Sequence, residues 1–371
     1  MNTVLIMCFS KSGSGPAFTL NLAKGFHKSG CRVYCIISNS MVNIHEWQEE
    51  DNFRVLALDT GTRKTIVKKT CGLFLNKKRI VNFLDKEIDI SIQTFVHPWM
   101  QVINHWVNPK HEMAILHDPC SHSGESKLTA ALAFIQYKLA KEIIVLTKEF
   151  IPIVSKKYKK ALSDIYFIRH GIFDSYRDYS YETNEYNYLK DGINFLFFGR
   201  IEEYKGISVL LNSYSSLVNC YSNISLTIAG SGDISKYRDI MDQLPNLNVI
   251  NRYIDDKEIK SIFTGSNMVL VLPYLDATQS GVVPIAIDFE VPVIASDSGG
   301  LKEQLDDGNI GLFVIPGDVD SLTNKMREFV ENIQQIDAQK RLEREFKHEL
   351  LWDNITMKLL SEIEGREHAK L

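Results

Sequence analysis

The hydrophobic positions of this 371-residue chain form short apolar runs that alternate with longer segments of mixed polarity. In the first half, each run has the length and composition of a buried strand in a parallel sheet. The predicted strands are residues 4–9, 33–37, 55–58, 88–95, 113–116, 143–146 and 165–168. Segments between them, such as residues 18–27 and 127–140, are compatible with helices. This alternation predicts a parallel sheet with helices on both faces.

The same pattern restarts after residues 173–191, a polar, tyrosine-rich stretch without a clear period. The strands predicted beyond it are residues 195–198, 226–229, 249–250, 268–272, 293–295 and 312–315. Predicted helices cover residues 207–219, 234–243, 256–265, 282–289 and 319–332. The pattern therefore predicts an α/β protein of two doubly wound, Rossmann-like domains facing each other across a cleft, residues 1–180 and 181–340. A charged, helical C-terminal segment, residues 341–371, is expected to cross back toward the first domain.

Composition and charge narrow the class of protein. The chain is 44% apolar and 24% charged, as in ordinary globular proteins, and no apolar run approaches the roughly 20 residues of a membrane span. Its six cysteines are scattered, which is typical of reduced thiols in the cytoplasm. The net charge of −4 divides unevenly, with +6 in residues 1–185 and −10 in the remainder. This asymmetry favours a polyanionic or membrane-surface partner for the first half.

The basic segment, residues 63–79, is the strongest concentration of positive charge in the first half. Seven Lys and Arg residues alternate there with apolar side chains. A solvated helical face is the simplest interpretation, but cations beside exposed apolar residues also suit adsorption to an anionic membrane. Nucleic acid is a weaker candidate, because no nucleic-acid-binding module is visible and the net charge is negative.

Candidate chemistry concentrates at the ends of the predicted strands of the second half. Residues 276–281 (Asp-Ala-Thr-Gln-Ser-Gly) follow one strand, and residues 296–300 (Ser-Asp-Ser-Gly-Gly) follow the next. In such sheets ligands bind outside the carboxyl ends of the strands, and the first amides of a following helix suit an anion. Arg200 and Lys205 follow a third strand and can flank a diphosphate.

Four motifs in this order resemble those of family 4 glycosyltransferases: Phe-Phe-Gly-Arg-x4-Lys-Gly, Ile-Ala-Gly-Ser-Gly-Asp, Pro-Val-Ile-Ala-Ser-Asp-x-Gly-Gly-Leu-x-Glu and Gly-Leu-Phe-Val-x-Pro-Gly-Asp. The resemblance covers about residues 195–320. It implies a GT-B fold, a nucleotide-diphosphate sugar as donor, and transfer with retention of the anomeric configuration. No catalytic metal or other cofactor is expected. The donor-binding residues that it implies are Arg200, Lys205, Asp276, Thr278, Gln279, Ser280, Gly281 and Glu303.

The chain departs from the family at one place. Most members carry two glutamates eight positions apart before the Pro-Val strand, but the corresponding pairs here are Asp276 with Pro284, or Ala277 with Ile285. The position whose glutamate usually contacts the ribose therefore carries no carboxylate in this chain. Residues 277–282 instead resemble a subgroup with an Ala-Thr-Gln-Ser-Gly-Val segment. Glu303 is a candidate carboxylate for hydroxyl binding or, alternatively, an exposed helix residue.

The first half offers a glycine-rich loop and a histidine. Gly13 and Gly15 follow the first strand without forming a dinucleotide or P-loop motif, and the resemblance implies that this loop faces the donor phosphates. His117 ends the predicted 113–116 strand, where the family resemblance implies a contact with the donor sugar and a catalytic role. A competing interpretation is a metal site formed by His117, Cys120 and His122, but it lacks a fourth ligand.

Together these features predict a retaining glycosyltransferase that transfers a sugar to a glycan or lipid-linked acceptor in cell-surface polysaccharide or lipopolysaccharide biosynthesis. The expected location is the cytoplasm, at the cytoplasmic face of the membrane. The missing glutamate pair leaves open a non-catalytic GT-B-like subunit that binds a nucleotide sugar or a partner enzyme. A nucleotide-sugar epimerase of the same fold is a third alternative.

Overall fold

The computed structural model describes residues 1–61, 65–119, 127–173, 175–178, 186 and 188–369, with the backbone alone at residues 66–68 and 127. The chain divides into two compact units. Unit 1 comprises Met1–Gly171 and Glu349–Leu371, and unit 2 comprises Ile172–His348. The sequence placed these divisions at residues 180/181 and 340/341. In the described residues no helix is long and apolar enough to cross a membrane.

Unit 1 is built on a seven-stranded parallel sheet in its described residues, with the strand order β3-β2-β1-β4-β5-β6-β7. The strands are β1 (Thr3–Cys8), β2 (Arg32–Ser38), β3 (Arg54–Leu58), β4 (Ile90–Gln93), β5 (His111–Leu116), β6 (Glu142–Val145) and β7 (Ile165–Phe167). Every residue of β1 and β4 is buried, as the continuous apolar runs predict for strands covered on both faces.

Helices cover both faces of this sheet. They are α1 (Gly15–Lys28), α2 (Ile44–Gln48), α3 (Ile66–Leu75), α4 (Lys77–Phe83), α5 (Pro98–Val107), α6 (Lys127–Leu139), α7 (Ile151–Tyr158) and, at the C-terminus, α16 (Trp352–His368). From β1 to β3, each successive strand is added on one side of β1. From β4 to β7, each successive strand is added on the other side. Because parallel crossovers are right-handed, α3–α7 lie on the opposite face from α1 and α2. Successive helices from α3 to α7 contact one another, so they form one layer.

The C-terminal helix α16 completes unit 1 by packing against α1. Trp352, at its start, fits against two glycines. A Cβ atom at Gly25 would lie 2.7 Å from the Trp352 carbonyl oxygen, and one at Gly171 would lie 2.4 Å from Cε2 of the indole. The Trp352 ring also meets Phe18 edge-on at 5.0 Å. The last helix is therefore part of the core of unit 1.

Unit 2 contains a six-stranded parallel sheet in its described residues, with the order β10-β9-β8-β11-β12-β13. The strands are β8 (Ile193–Phe198), β9 (Ile224–Ala229), β10 (Leu247–Ile250), β11 (Met268–Leu272), β12 (Val293–Ser296) and β13 (Leu312–Val314). The helices are α8 (Ser175–Asp178), α9 (Ile207–Val218), α10 (Arg238–Met241), α11 (Ile259–Phe263), α12 (Val283–Phe289), α13 (Leu301–Gln304), α14 (Val319–Glu331) and α15 (Gln334–Lys347). The predicted α/β class with two parallel sheets is confirmed.

The helices predicted at residues 234–243 and 256–265 are shorter than expected. The structure has 3-10 turns at Ser235–Tyr237 and Asp256–Glu258, followed by the one-turn helices α10 and α11. The second turn begins with a capping box, in which Asp255 accepts from the Lys257 amide and the Glu258 side chain accepts from the Asp255 amide. Such local side-chain bonds satisfy the first amides of the turn and set where it begins.

The buried carboxylate of Asp288 pairs with one cation near the beginning of unit 2 and one near its end. Asp288, near the end of α12, accepts from Arg177 Nε at 3.0 Å and pairs with Lys347 Nζ at 2.6 Å. Arg177 lies in α8, at the beginning of the unit, and Lys347 ends α15. Because the side chain of Asp288 is almost fully buried, losing either cation would leave part of its charge uncompensated.

Candidate functional site

The loop after β8 turns sharply and buries Lys205 against the end of β11. Gly206 makes this turn with a φ of 69°, and a Cβ atom there would lie 1.8 Å from the carbonyl oxygen of Pro273. Only glycine allows both this backbone conformation and this close approach. As a result, Lys205 Nζ donates a 2.8 Å hydrogen bond to the Tyr274 hydroxyl and lies 4.5 Å from the centre of the same ring.

Lys205 is a buried cation with neutral partners. Only 9% of the residue is exposed, and its hydrogen bond goes to a phenol. No ion pair joins Lys205 to a carboxylate among the residues that the structure describes. A buried charge without a counter-ion is costly, so such an ammonium favours binding an anion.

The Tyr274 hydroxyl extends this contact to the turn that the sequence singled out. It lies 3.2 Å from Ser280 Oγ, so Lys205, Tyr274 and Ser280 form a continuous hydrogen-bonded chain. Gln304, in α13, holds the Ser280 backbone from both sides: the Ser280 amide donates to Gln304 Oε1 at 2.7 Å, and Gln304 Nε2 donates to the Ser280 carbonyl at 3.1 Å. The Ser280 amide is therefore already engaged. Gly281, the next residue, is exposed, with open space where a Cβ atom would be.

The two predicted turns lie against each other. A Cβ atom at Gly299, where φ is 49°, would lie 1.6 Å from the Ala277 carbonyl oxygen, and the Gly300 amide donates to the Thr278 carbonyl at 3.1 Å. Because these contacts are made by backbone atoms, the shape of the turns depends on the small residues that the sequence placed there. The remaining turn candidates differ in exposure, with Asp276 exposed and Thr278, Gln279 and Glu303 half-buried.

Arg200 does not join the Lys205–Tyr274–Ser280 chain in this structure. Its guanidinium pairs with Glu202 at 2.5 Å, and two thirds of its side chain is exposed. An open pocket of 380 Å³ lies near this loop, lined by Glu203, Ser208, Leu211, Asn212, Lys236, Tyr237, Ile240 and Leu275. None of the predicted donor-binding residues lines that pocket.

In unit 1, His117 follows β5 and stacks on Phe95, with ring centres 4.3 Å apart and an angle of 13°. Its Nε2 lies 2.9 Å from the Thr94 carbonyl oxygen, which can only accept, so Nε2 carries the proton and Nδ1 is an acceptor. Burial, assisted by the nearby His170, lowers the pKa of His117 to about 4. His117 is thus neutral near pH 7, with a fixed tautomer.

The predicted glycine-rich loop packs on the same aromatic platform. A Cβ atom at Gly15, the first residue of α1, would lie 3.0 Å from the Phe95 ring that stacks on His117. Gly13 has a φ of 76° and open space around it. The structure therefore places Gly15 and His117 next to the same phenylalanine ring. Cys120 and His122, the other members of the alternative metal site, lie outside the described residues.

Sequence reasoning missed several residues that build these sites: Tyr274, Gln304, Phe95 and Thr94. Tyr274 had a usable signal, because it comes two residues after a strand that ends beside the predicted turn. Gln304 had none, since its side chain reaches back 24 positions along the chain to Ser280.

Comparison with known proteins finds a family match over somewhat less than half of the chain. Residues 182–355 match the family model of the glycosyl transferases, group 1. Over 147 residues the chain is 30% identical to a phosphatidyl-myo-inositol mannosyltransferase of Mycobacterium leprae, covering 39% of each chain. Over 198 residues it is 26% identical to the capsular polysaccharide biosynthesis glycosyltransferase CapM of Staphylococcus aureus, covering 50% of this chain and 51% of that protein. The chain therefore matches about two fifths to half of the length of these relatives.

Solved structures extend the likeness to the whole fold. The Anabaena protein HepE, solved in complex with UDP and glucose, superposes with a TM-score of 0.70 over 98% of this chain and 100% of its own, at 13% identity. The fold is GT-B, with two Rossmann-like α/β units. The motif set that suggested glycosyl transferases thus lies within the segment that matches the group 1 model.

Proposed function

We propose that the protein is a glycosyltransferase that uses a nucleotide-diphosphate sugar as donor. The finer assignment is a retaining, family 4-like enzyme of the subgroup with the Ala-Thr-Gln-Ser-Gly-Val segment. The acceptor is a glycan or a lipid-linked molecule in cell-surface polysaccharide or lipopolysaccharide biosynthesis. Support comes from the group 1 match of residues 182–355, from relatives named for mannosyl transfer and capsular polysaccharide biosynthesis, and from a structural neighbour solved with UDP and glucose.

The observation that carries this proposal is the buried ammonium of Lys205. Its partner is the neutral Tyr274 hydroxyl, it lies at the carboxyl end of the sheet, and it belongs to the segment that matches the group 1 model. A diphosphate would supply the missing negative charge. During transfer, the bond between the anomeric carbon and the diphosphate oxygen breaks while a bond to the acceptor oxygen forms, and the acceptor hydroxyl loses its proton to the departing diphosphate. Negative charge grows on the diphosphate as its bond to the sugar breaks. A fixed cation at that position stabilises the charge.

The other donor contacts follow from the exposure of their groups. Arg200 would exchange its exposed ion pair with Glu202 for a phosphate oxygen, because a surface pair of this kind contributes little to stability. The exposed backbone at Gly281 would meet the phosphate or sugar. Asp276, Thr278 and Gln279 add polar groups around it, and Glu303 is the candidate for binding a hydroxyl in place of the missing glutamate. These protein groups would stabilise the leaving diphosphate without a catalytic metal.

In unit 1, His117 is the proposed contact at the reacting sugar. Its ring, neutral near pH 7, would contact the donor sugar as the family resemblance implies. Gly13 and Gly15 would let the loop after β1 approach the donor phosphates. The basic segment at residues 63–79 would hold the enzyme on the cytoplasmic face of an anionic membrane, close to a lipid-linked acceptor.

The test begins with thermal unfolding of the full chain in the presence of nucleoside diphosphates and their sugars, because a specific donor raises the unfolding temperature. The best donor is then incubated with glycan and lipid-linked acceptors. Transfer with the anomeric configuration retained, determined by NMR of the product, is expected. Nucleoside diphosphate binding without transfer or donor hydrolysis would instead favour the non-catalytic subunit, and isomerisation of the sugar without an acceptor would favour an epimerase.

A further inference from the structure

Helix α6 carries apolar side chains on two opposite faces. One face is buried, where Tyr137 joins a core cluster with residues of β5, β6 and β7. The other face is exposed to solvent: Leu128 is 70%, Ile135 51% and Leu139 59% exposed. Together with the half-buried Leu132, these residues recur at i, i+4, i+7 and i+11, so they form one stripe along the helix. An apolar face of a helix is normally covered by another part of the protein or by a partner.

Further apolar side chains are exposed on α7, which contacts α6, and on the turn that follows it. Phe134, on α6, packs against the Tyr158 ring of α7 at 5.6 Å. Ile153 and Leu162, in α7 and just beyond it, are 43% and 63% exposed. Single exposed apolar residues are ordinary, but several of them on helices that contact each other are typical of an interaction surface. We call these exposed apolar residues, together with the lysines beside them, the α6–α7 surface.

The charges beside the stripe are nearly all positive. Residues 127–164 contain eight lysines against three acidic residues. One of those acids, Glu142, is buried and engaged with His111 at 3.0 Å, which leaves Glu149 and Asp164 nearer the surface. Lys138, Lys141, Lys156, Lys157 and Lys159 are exposed.

An apolar stripe bordered by lysines distinguishes between two possible partners of this surface, a second copy of the chain and a lipid bilayer. In a two-fold dimer, the same surface would face itself and bring lysines toward lysines, which is unfavourable. An anionic bilayer offers both complements, because acyl chains accept the apolar stripe while lipid phosphates meet the lysine ammonium groups.

The α6–α7 surface belongs to the same helical layer as α3 and α4, which contain most of the basic segment, whose residues 63 and 64 lie outside the described residues. Phe74 of α3 packs edge-on against Trp106 of α5 at 5.7 Å, and the backbone amide of His97, beside α5, donates to Gln136 of α6 at 2.8 Å. Leu75, at the end of α3, is 88% exposed. Two apolar, lysine-rich surfaces thus lie on the face of the sheet opposite α1 and α16, far apart in sequence but in one layer.

We propose that the α6–α7 surface is a docking site for an anionic lipid bilayer. The apolar stripe inserts past the lipid headgroups to meet the acyl chains, and the surrounding lysines pair with the lipid phosphates. This site goes beyond the proposed transferase activity and does not depend on it.

The experiment measures co-sedimentation of the full chain with vesicles of phosphatidylcholine mixed with phosphatidylglycerol, and with phosphatidylcholine alone. Ile135→Ser combined with Leu139→Ser should weaken partition into the mixed vesicles by roughly 30-fold, since each side chain buries about half of its surface on docking. Lys156→Gln with Lys159→Asn should give a similar loss that disappears at high salt. Asparagine is chosen because residue 159 has a φ of 54°, which asparagine tolerates.

Met357→Ser is the matched control, because Met357 is an exposed apolar residue of the same unit but lies on α16. It should partition like the wild type. Tryptophan fluorescence of an Ile135→Trp variant provides a second measurement that does not depend on a loss of binding. Its emission should shift to the blue when mixed vesicles are added. Three results would overturn the proposal: wild-type protein that stays in solution, stripe variants that sediment like the control, or concentration-dependent dimers that the Ile135→Ser/Leu139→Ser change abolishes.

Discussion

Replacing Lys205 with methionine separates a ligand-binding role from a structural one. Methionine retains much of the apolar stem and removes the ammonium, which is buried and bonded to the neutral Tyr274 hydroxyl. In the ligand-free protein, the lost hydrogen bond of about 1 kcal/mol is opposed by relief from burying an uncompensated charge. The free energy of unfolding of the free protein should therefore change by less than about 1 kcal/mol.

The same Lys205→Met change should have a much larger effect on the affinity for a diphosphate than on stability. An ammonium about 4 Å from a phosphate charge, at an effective dielectric constant of about 20, has a Coulomb energy of about 4 kcal/mol. Hydrogen bonds to charged groups contribute about 1.5–3 kcal/mol net. A loss of about 3 kcal/mol is therefore expected, which weakens the Kd for the nucleoside diphosphate by about 100-fold.

Isothermal titration with the preferred nucleoside diphosphate measures the affinity, and urea denaturation of the free protein measures stability. Lys325→Met is the control, because Lys325 lies on α14 and pairs with Glu328 at 2.6 Å. It should leave the Kd unchanged. If Lys205→Met instead lowers the unfolding free energy by more than about 2 kcal/mol and leaves the Kd intact, the lysine is a structural residue and the phosphate-binding role is refuted.

Tyr274, Gly206 and His117 each provide a further prediction. Tyr274→Phe removes the hydroxyl that links the lysine to Ser280, so nucleoside diphosphate affinity should fall about five- to tenfold by titration, and an unchanged Kd would exclude an orienting role. Gly206→Ala places a methyl group on the Pro273 carbonyl at a positive φ, so urea denaturation should show a loss of more than about 2 kcal/mol, and a loss below about 0.5 kcal/mol would contradict the close approach. His117 has a folded pKa of about 4, below the unfolded value of about 6.5, so its contribution to stability is complete above about pH 6.5 and is lost as the pH falls through 4. NMR titration of the folded protein should show a neutral ring with the proton on Nε2 at pH 7, and a pKa near 6.5 would contradict its burial.

The strands were the part of the fold that the sequence predicted best. Each predicted apolar run overlaps an observed strand, and Met268–Leu272 agrees at both ends. This agreement has a physical cause, since strands covered on both faces must be apolar throughout and so differ sharply from their surroundings. Short helices were harder, because a one-turn helix such as Arg238–Met241 has too few positions to show a period, and its extent depends on local bonds and packing.

The local shape of the candidate site was easier to anticipate than its long-range contacts. The small residues at 296–300 predicted a tight turn, and Gly299 in that turn has a positive φ and a close backbone approach to Ala277. The partner that Arg200 chooses could not be predicted, since the nearby Glu202 and a phosphate offer the same chemistry. Nor could the Gln304 contact to Ser280, because an amide side chain can reach any neighbouring backbone group that the fold brings within range.

The core of unit 1 can be completed only after Trp352 has been synthesised. The indole occupies the space left by Gly25 and Gly171, yet it is synthesised after the whole of unit 2. During translation, the face of α1 that packs against the Trp352 indole must remain exposed to solvent while about half of the chain is still to be synthesised. A nascent chain halted near residue 348 would therefore expose the apolar side chains of α1 that Trp352 covers, among them Phe18, and such a surface is one that chaperones and proteases recognise.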